Sequence, residues 1–256
     1  MNAELTVRHY ELRTPKLQSA VRLLLITDLH SCYYGEGQAE LVRAIDQEAP
    51  DAILLGGDIA DDSIPIYNTE ALLAAVADRY PCFYVSGNHE YWSGDIEAIK
   101  DVFREYGVAV LEGEYLNLSV RGQTVTVCGV DDPESGRFAE DLSSVAECVS
   151  ADRFTVLLTH RPEHMDRYVA YGFDLALAGH AHGGLWRIPG VLNGLFVPNQ
   201  GLFPKYAGGQ YEEQQTTMIV SRGLARESTR IPRIFNPPEL AVVDLLPLTA
   251  PDSSSG

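Results

Sequence analysis

Five short apolar runs punctuate the chain, and each gives way to residues able to bind a cation. RLLLIT (22–27) is followed by Asp28 and His30, AILLGG (52–57) by Asp58, and CFYV (82–85) by Asn88, His89 and Glu90. FTVLLT (154–159) is followed by His160, and LALAG (175–179) by His180 and His182. Runs this short and this continuous match strands buried on both faces, as in a parallel sheet. Between them the apolar positions recur at helical spacing. Ala39, Leu41, Val42, Ala44 and Ile45 mark a helix ending before Pro50, residues 69–81 a second, and residues 95–107 a third stopped at Gly107.

The rhythm changes after residue 107. VAVL (108–111), YLNLSV (115–120) and TVTVCGV (124–130) follow closely, with Gly113 and Gly122 between them, which predicts an antiparallel meander or the turn into a second sheet. The α/β alternation then resumes with a helix at 142–149, a strand at 154–159, a helix at 162–172 and a strand at 175–179. LTVRHYEL (5–12) alternates and predicts an edge strand; residues 216–221 and 239–246 predict the last strands. Residues 183–215, rich in glycine and aromatics, predict a long irregular loop, and residues 251–256 a disordered tail. Strands alternating with amphipathic helices imply right-handed βαβ units. The expected fold class is therefore α/β, with two facing mixed β-sheets flanked by helices, in one domain over residues 1–250.

Composition narrows the function. A chain of 256 residues builds a core without disulfides, and the scattered Cys32, Cys82, Cys128 and Cys148 read as reduced thiols. No stretch approaches the ~18–20 apolar residues that span a bilayer, so the expected location is the cytoplasm. The formal net charge of −17 opposes broad attraction to nucleic acid or anionic membrane. Bound metal ions reverse that field locally.

In open α/β sheets, ligands bind beyond the carboxyl ends of the parallel strands. The five run ends can thus converge in one cleft although they lie between residues 28 and 182. Asp28 and His30 are two apart, as are His180 and His182, so in extended backbone each pair points to one side. The donor set of carboxylate, imidazole and amide oxygen, with no thiolate, suits Mn, Fe, Zn or Ni better than a structural zinc.

TDLH (27–30), GDIAD (57–61), GNHE (87–90), TH (159–160) and GHAH (179–182), in this order and spacing, resemble the calcineurin-like metallophosphoesterases over about residues 21–190. GHAHGG, YAGGQY and SRGL extend the likeness to the bacterial YkuE/YaeI-type phosphodiesterase branch. The resemblance implies two divalent metal ions. Asp28, His30 and His182 would hold the first, Asn88, His160 and His180 the second, and Asp58 would bridge them. Ions roughly 3.5–4 Å apart share a water that attacks phosphorus as a metal-bridging hydroxide. His89 is implied as general acid and Asp61 as the carboxylate orienting it.

The implied activity is hydrolysis of a phosphodiester or phosphoanhydride in a small phosphorylated substrate, without stable nucleic-acid binding. A phosphomonoesterase, including a protein phosphatase, is the alternative, and a non-catalytic metal-binding scaffold the third reading. Ala181 and Leu185 replace the branch's usual threonine and glutamine, which bears on substrate contacts. Tyr33, Tyr34, Trp92, Trp186, Phe203 and Tyr206 are candidates for a substrate wall, the 183–215 segment for peripheral membrane contact, and Arg161 and Arg222 for steadying phosphate. A lone histidine near a strand is more often structural, which is the reading for His9 and His164. Asp61 or Asp62 can equally cap a turn.

Overall fold

The computed structural model describes residues 4–188, 192–197, 199–226 and 233–248. The expectation for residues 251–256 lies outside them. The chain opens with β1 (Thr6–Thr14), which forms the edge of the first sheet. Strand β2 (Val21–Ile26), helix α1 (Ala39–Glu48), β3 (Ala52–Gly56), α2 (Tyr67–Val76) and β4 (Cys82–Val85) follow in βαβ order. The short helix α3 (Asn88–Trp92), α4 (Ile96–Glu105) and the two-residue strand β5 (Ala109–Val110) complete this half. Strands β2, β3, β4 and β5 pair in parallel.

The chain then crosses to a second sheet. Hairpin β6 (Glu114–Val120) and β7 (Gln123–Gly129) is antiparallel, and α5 (Phe138–Ala146), β8 (Phe154–Leu158), α6 (Met165–Tyr171) and β9 (Leu175–Ala178) extend it in parallel from β7. The expected meander thus divides: β5 closes the first sheet, and the β6–β7 hairpin opens the second.

The glycine-rich region is less irregular than its composition suggests. Among its described residues are the small ladder β10 (Phe196–Val197) and β11 (Gly201–Leu202), and β12 (Gly209–Glu213) pairs antiparallel with β13 (Thr216–Val220). Strand β13 lies parallel to β9, and β14 (Glu239–Pro247) returns to the first sheet between β1 and β2.

The two six-stranded sheets face one another. Leu23, Leu25, Leu54 and Val85 from the first pack against Val125, Val127, Val156, Leu158 and Leu177 from the second. On the outer face of the first sheet, Leu24, Ile53 and Tyr84 meet Leu41 and Ile45 of α1, Leu72 of α2 and Phe103 of α4. On the outer face of the second, Leu157 and Ala176 meet Leu142 of α5 and Tyr168 of α6. Burial on both faces is why these strands read as continuous apolar runs. The four layers set the carboxyl ends of β2, β3, β4, β8 and β9 along one edge of the sandwich.

Candidate metal centre

Backbone hydrogen bonds continue past the strand ends and register the loops against one another. Asp28 N donates to Gly57 O at 3.0 Å, His30 N to Asp58 O at 2.9 Å, and Gly179 N to His160 O at 3.2 Å. The residues there are not extended. Asp28 (φ 50°), His30 (φ 49°), Asp58 (φ 52°), His180 (φ 65°) and His182 (φ 45°) all have left-handed backbone. Through these turns Asp28 and His30 enter one donor group while His180 and His182 enter two different ones, which corrects the extended-backbone expectation. Such strain in non-glycine residues persists where the surroundings over-determine it, and it clusters at functional sites. Gly57 (φ 85°) shows how close the loops come, because a Cβ there would lie 2.6 Å from His160 Nδ1.

Three groups of donor atoms result: Asp28, His30, Asp58 and His182; Asp58, His160 and His180; and His30, Asp61 and His89. Asp58 belongs to the first two. Its Oδ1 accepts from His89 N at 2.9 Å, while Oδ2 lies 3.1 Å from His160 Nε2 and 3.7 Å from His30 Nε2. His182 Nε2 is 3.5 Å from Asp28 Oδ1. Asn88 Oδ1, Asp58 Oδ2, His30 Nε2 and His160 Nε2 are all buried without a hydrogen-bond partner.

Other contacts fix which atoms point inward. His160 Nδ1 donates to Gly56 O at 2.9 Å and His30 Nδ1 to Asp61 Oδ2 at 2.8 Å, leaving each Nε2 for the cluster. The Asp58 carboxylate and the imidazole nitrogens gathered around it call for a cation among them, a proton on His160 in the metal-free protein or a metal ion in its place. The donor set therefore fits divalent ions. In the protein alone, burial opposes charge on His160, but the Asp58 carboxylate prevails and raises it to about 10. Burial likewise opposes charge on Asp58, yet His160 and His30 hold it well below the usual carboxylate range. Burial lowers His182 to about 3, the state in which an imidazole serves as ligand.

Six of the seven expected ligands and His89 fall in these donor groups, and Asn88 is buried with its Oδ1 unpartnered; the role of Asp61 differs from expectation. Asp61 binds His30, and Ser63 N and Ile64 N bind its other oxygen. The partner of His89 is Asp62, whose Oδ1 is 2.7 Å from Nδ1 against 3.6 Å for Asp61. The turn directs adjacent carboxylates to different imidazoles.

Sequence reasoning gave Glu90 no role. Residues Asn88–Trp92 form α3, and Glu90 turns back from it as a fully buried carboxylate. It accepts from Gly87 N (2.8 Å), Asp58 N (2.9 Å), Ile59 N (2.7 Å) and Ala60 N (3.1 Å). This fastens the Asp58 turn to the start of α3. Burial and the nearby Asp58 charge raise Glu90 to about 7 against the pull of those N–H groups.

Of the candidate wall, Tyr34 and Tyr206 are buried, whereas Tyr33, Trp92, Trp186 and Phe203 are exposed. The Trp92 ring lies 4.9 Å from that of His89. A cavity of about 150 Å³, lined by Gly184, Leu185, Trp186, Leu195 and Phe196, opens just after His182. Arg222 is buried against Glu239. His9 faces Glu48 and Asp244, and His164 packs on Phe138. No helix among the described residues is long and apolar enough to cross a membrane.

Fold and donor set define an α/β protein with a candidate site for divalent metal ions. The chain belongs to the calcineurin-like phosphoesterase family, whose profile matches residues 21–184. It is 29% identical over 255 residues to an uncharacterized metallophosphoesterase of Aquifex aeolicus, covering 94% of this chain and 92% of that one. It is 27% identical over 231 residues to the uncharacterized metallophosphoesterase YkuE of Bacillus subtilis, covering 88% and 78%. Longer relatives from Campylobacter jejuni and Helicobacter pylori are matched over 63% and 61% of their own length. Among solved structures, the phosphopantetheinyl hydrolase of Mycobacterium tuberculosis shares the fold, with a TM-score of 0.54, 14% identity and coverage of 94% of this chain and 100% of that one.

Proposed function

We propose that this chain is a phosphoesterase that works with two divalent ions on a phosphodiester or phosphoanhydride of a small molecule. The observation that carries this reading is the shared carboxylate. Asp58 sits in both donor groups, with a buried, unpartnered Oδ2 between His30 and His160. In this reading Asp28, His30, Asp58 and His182 hold one ion, and Asp58, Asn88, His160 and His180 the other. Two such ions, when bound, would lower the pKa of an attacking water and neutralise phosphoryl oxygens.

The chain's own residues supply the rest. The His89 ring is part-exposed at the rim, with Nδ1 committed to Asp62 and Nε2 left to donate to the departing oxygen. His89 N, bonded to Asp58 Oδ1, ties the position of that imidazole to the shared carboxylate. Asp61 acts on His30 as a positioning residue, holding the ring so that Nε2 points inward. Exposed Trp92, its ring tilted against that of His89, forms one side of the approach.

The test is hydrolysis of bis(p-nitrophenyl) phosphate and p-nitrophenyl phosphate by chelator-stripped protein reloaded in turn with Mn, Zn, Fe, Ni or Mg. Metal-dependent cleavage favouring the diester supports the proposal. Preference for the monoester makes the protein a phosphomonoesterase. Stoichiometric metal binding without turnover of either compound favours the scaffold.

A further inference from the structure

Arg161 follows His160 in the turn after β8. Its guanidinium is buried and held by Asp132, with Nε on Oδ2 and Nη2 on Oδ1 at 2.9 Å. That leaves Nη1, which lies 2.9 Å from His180 Nε2 and 3.7 Å from Glu163 Oε1. The side-chain amide of Asn199 approaches the same imidazole nitrogen, at 3.4 Å. Two donors thus converge on one lone pair.

A cation on His180 ends this arrangement whichever ring nitrogen it takes. On Nε2 the ion replaces the two donors; on Nδ1 the neutral ring carries its proton on Nε2, and donor then faces donors. The paired hydrogen bonds to Asp132 restrain the guanidinium from swinging away. Nη1 and the Asn199 amide are then left converging beside the ion without that acceptor, Glu163 Oε1 at 3.7 Å being beyond hydrogen-bond reach of Nη1, and a buried charged donor in that state is costly. An anionic oxygen satisfies both. Asn199 is exposed, so the point of convergence is open to solvent on its side.

We propose that Arg161 Nη1 and Asn199 Nδ2 form an oxyanion subsite that receives a non-bridging oxygen of the substrate's phosphoryl group once the ions are bound. This rests on the phosphoesterase reading. It gives the 183–215 segment a direct part in substrate binding through Asn199.

Binding of inorganic phosphate to the Mn-loaded full chain, measured by calorimetry with metal content determined on the same samples, tests the subsite. The variants are Asn199→Ala, which removes one exposed amide, and the double Arg161→Gln/Asp132→Asn, which removes both buried charges together. Each is expected to keep its metal and to bind phosphate roughly tenfold or more weakly, with KM raised more than kcat is lowered. Unchanged phosphate affinity in both variants at full metal content overturns the subsite. Loss of metal with unchanged phosphate affinity per loaded chain also overturns it, reducing Arg161 to a support for His180. If the loaded wild type binds no phosphate, the phosphoesterase reading itself fails.

Discussion

Replacing Glu90 with glutamine changes one atom and tests how Asp58 is held in place. The carboxylate accepts four backbone N–H groups, two on each oxygen. A glutamine in the same place offers one oxygen and one NH2, so in either orientation two N–H groups lose their acceptor and face another donor. At about 1–3 kcal/mol for each buried donor left unsatisfied, the gross cost is about 2–6 kcal/mol. Removing a buried negative charge beside Asp58 offsets part of this, and about 3 kcal/mol is the expected net loss. For a chain of this size that corresponds to a Tm lower by about 6–12 °C. The assay is thermal unfolding of chelator-treated protein, followed by metal binding at a temperature where the variant is folded. Metal affinity should fall as well, because the Asp58 turn loses its tie to α3. A Glu90→Gln protein that unfolds within about 2 °C of wild type and binds metal equally well would refute the reasoning.

Three further outcomes follow from separate contacts. Lys100 is buried with Asp131 and Glu112, at 2.6 Å from each, so Lys100→Met leaves Asp131 uncompensated; a loss of about 3 kcal/mol is expected in denaturant unfolding, partly recovered by adding Asp131→Asn. Asp61→Ala should weaken metal binding through His30, whereas Asp62→Ala should lower turnover with metal content intact; metal analysis beside kcat separates the two. Burial lowers the pKa of His164, so the unfolded chain binds that proton more readily and stability is lost as pH falls below about 6.5. His164→Gln should therefore reduce the drop in Tm between pH 7.5 and 5.5.

The strands and their functional ends were legible because burial on both faces writes itself as unbroken apolar runs, and a polar residue at the end of such a run stands out. Asp28, Asp58, Asn88, His160 and His180 stood out in that way as candidate ligands. The convergence of the two sheets was legible only as a change of rhythm near residue 107. Helix α3 was not, since five residues are too few to show a helical period. Asp61 and Asp62 are chemically alike and adjacent, so only the turn's backbone decides which imidazole each one meets. Asp132 and Arg161 lie 29 residues apart on different loops, and no local pattern announces their pairing. A signal for Glu90 was present: a carboxylate inside the most polar cluster at the end of a buried strand, unclaimed as a ligand, needs several donors of its own.

The most direct test of the central reading is a titration of metal-free protein with Mn or Zn, recording bound metal per chain and diester hydrolysis in the same samples. Two ions per chain are expected, with turnover rising as the second binds, and Asp58→Asn should neither hold both ions nor turn over. Full activity at one ion per chain, or an Asp58→Asn protein that keeps two ions and wild-type turnover, would contradict a shared carboxylate at the heart of the site.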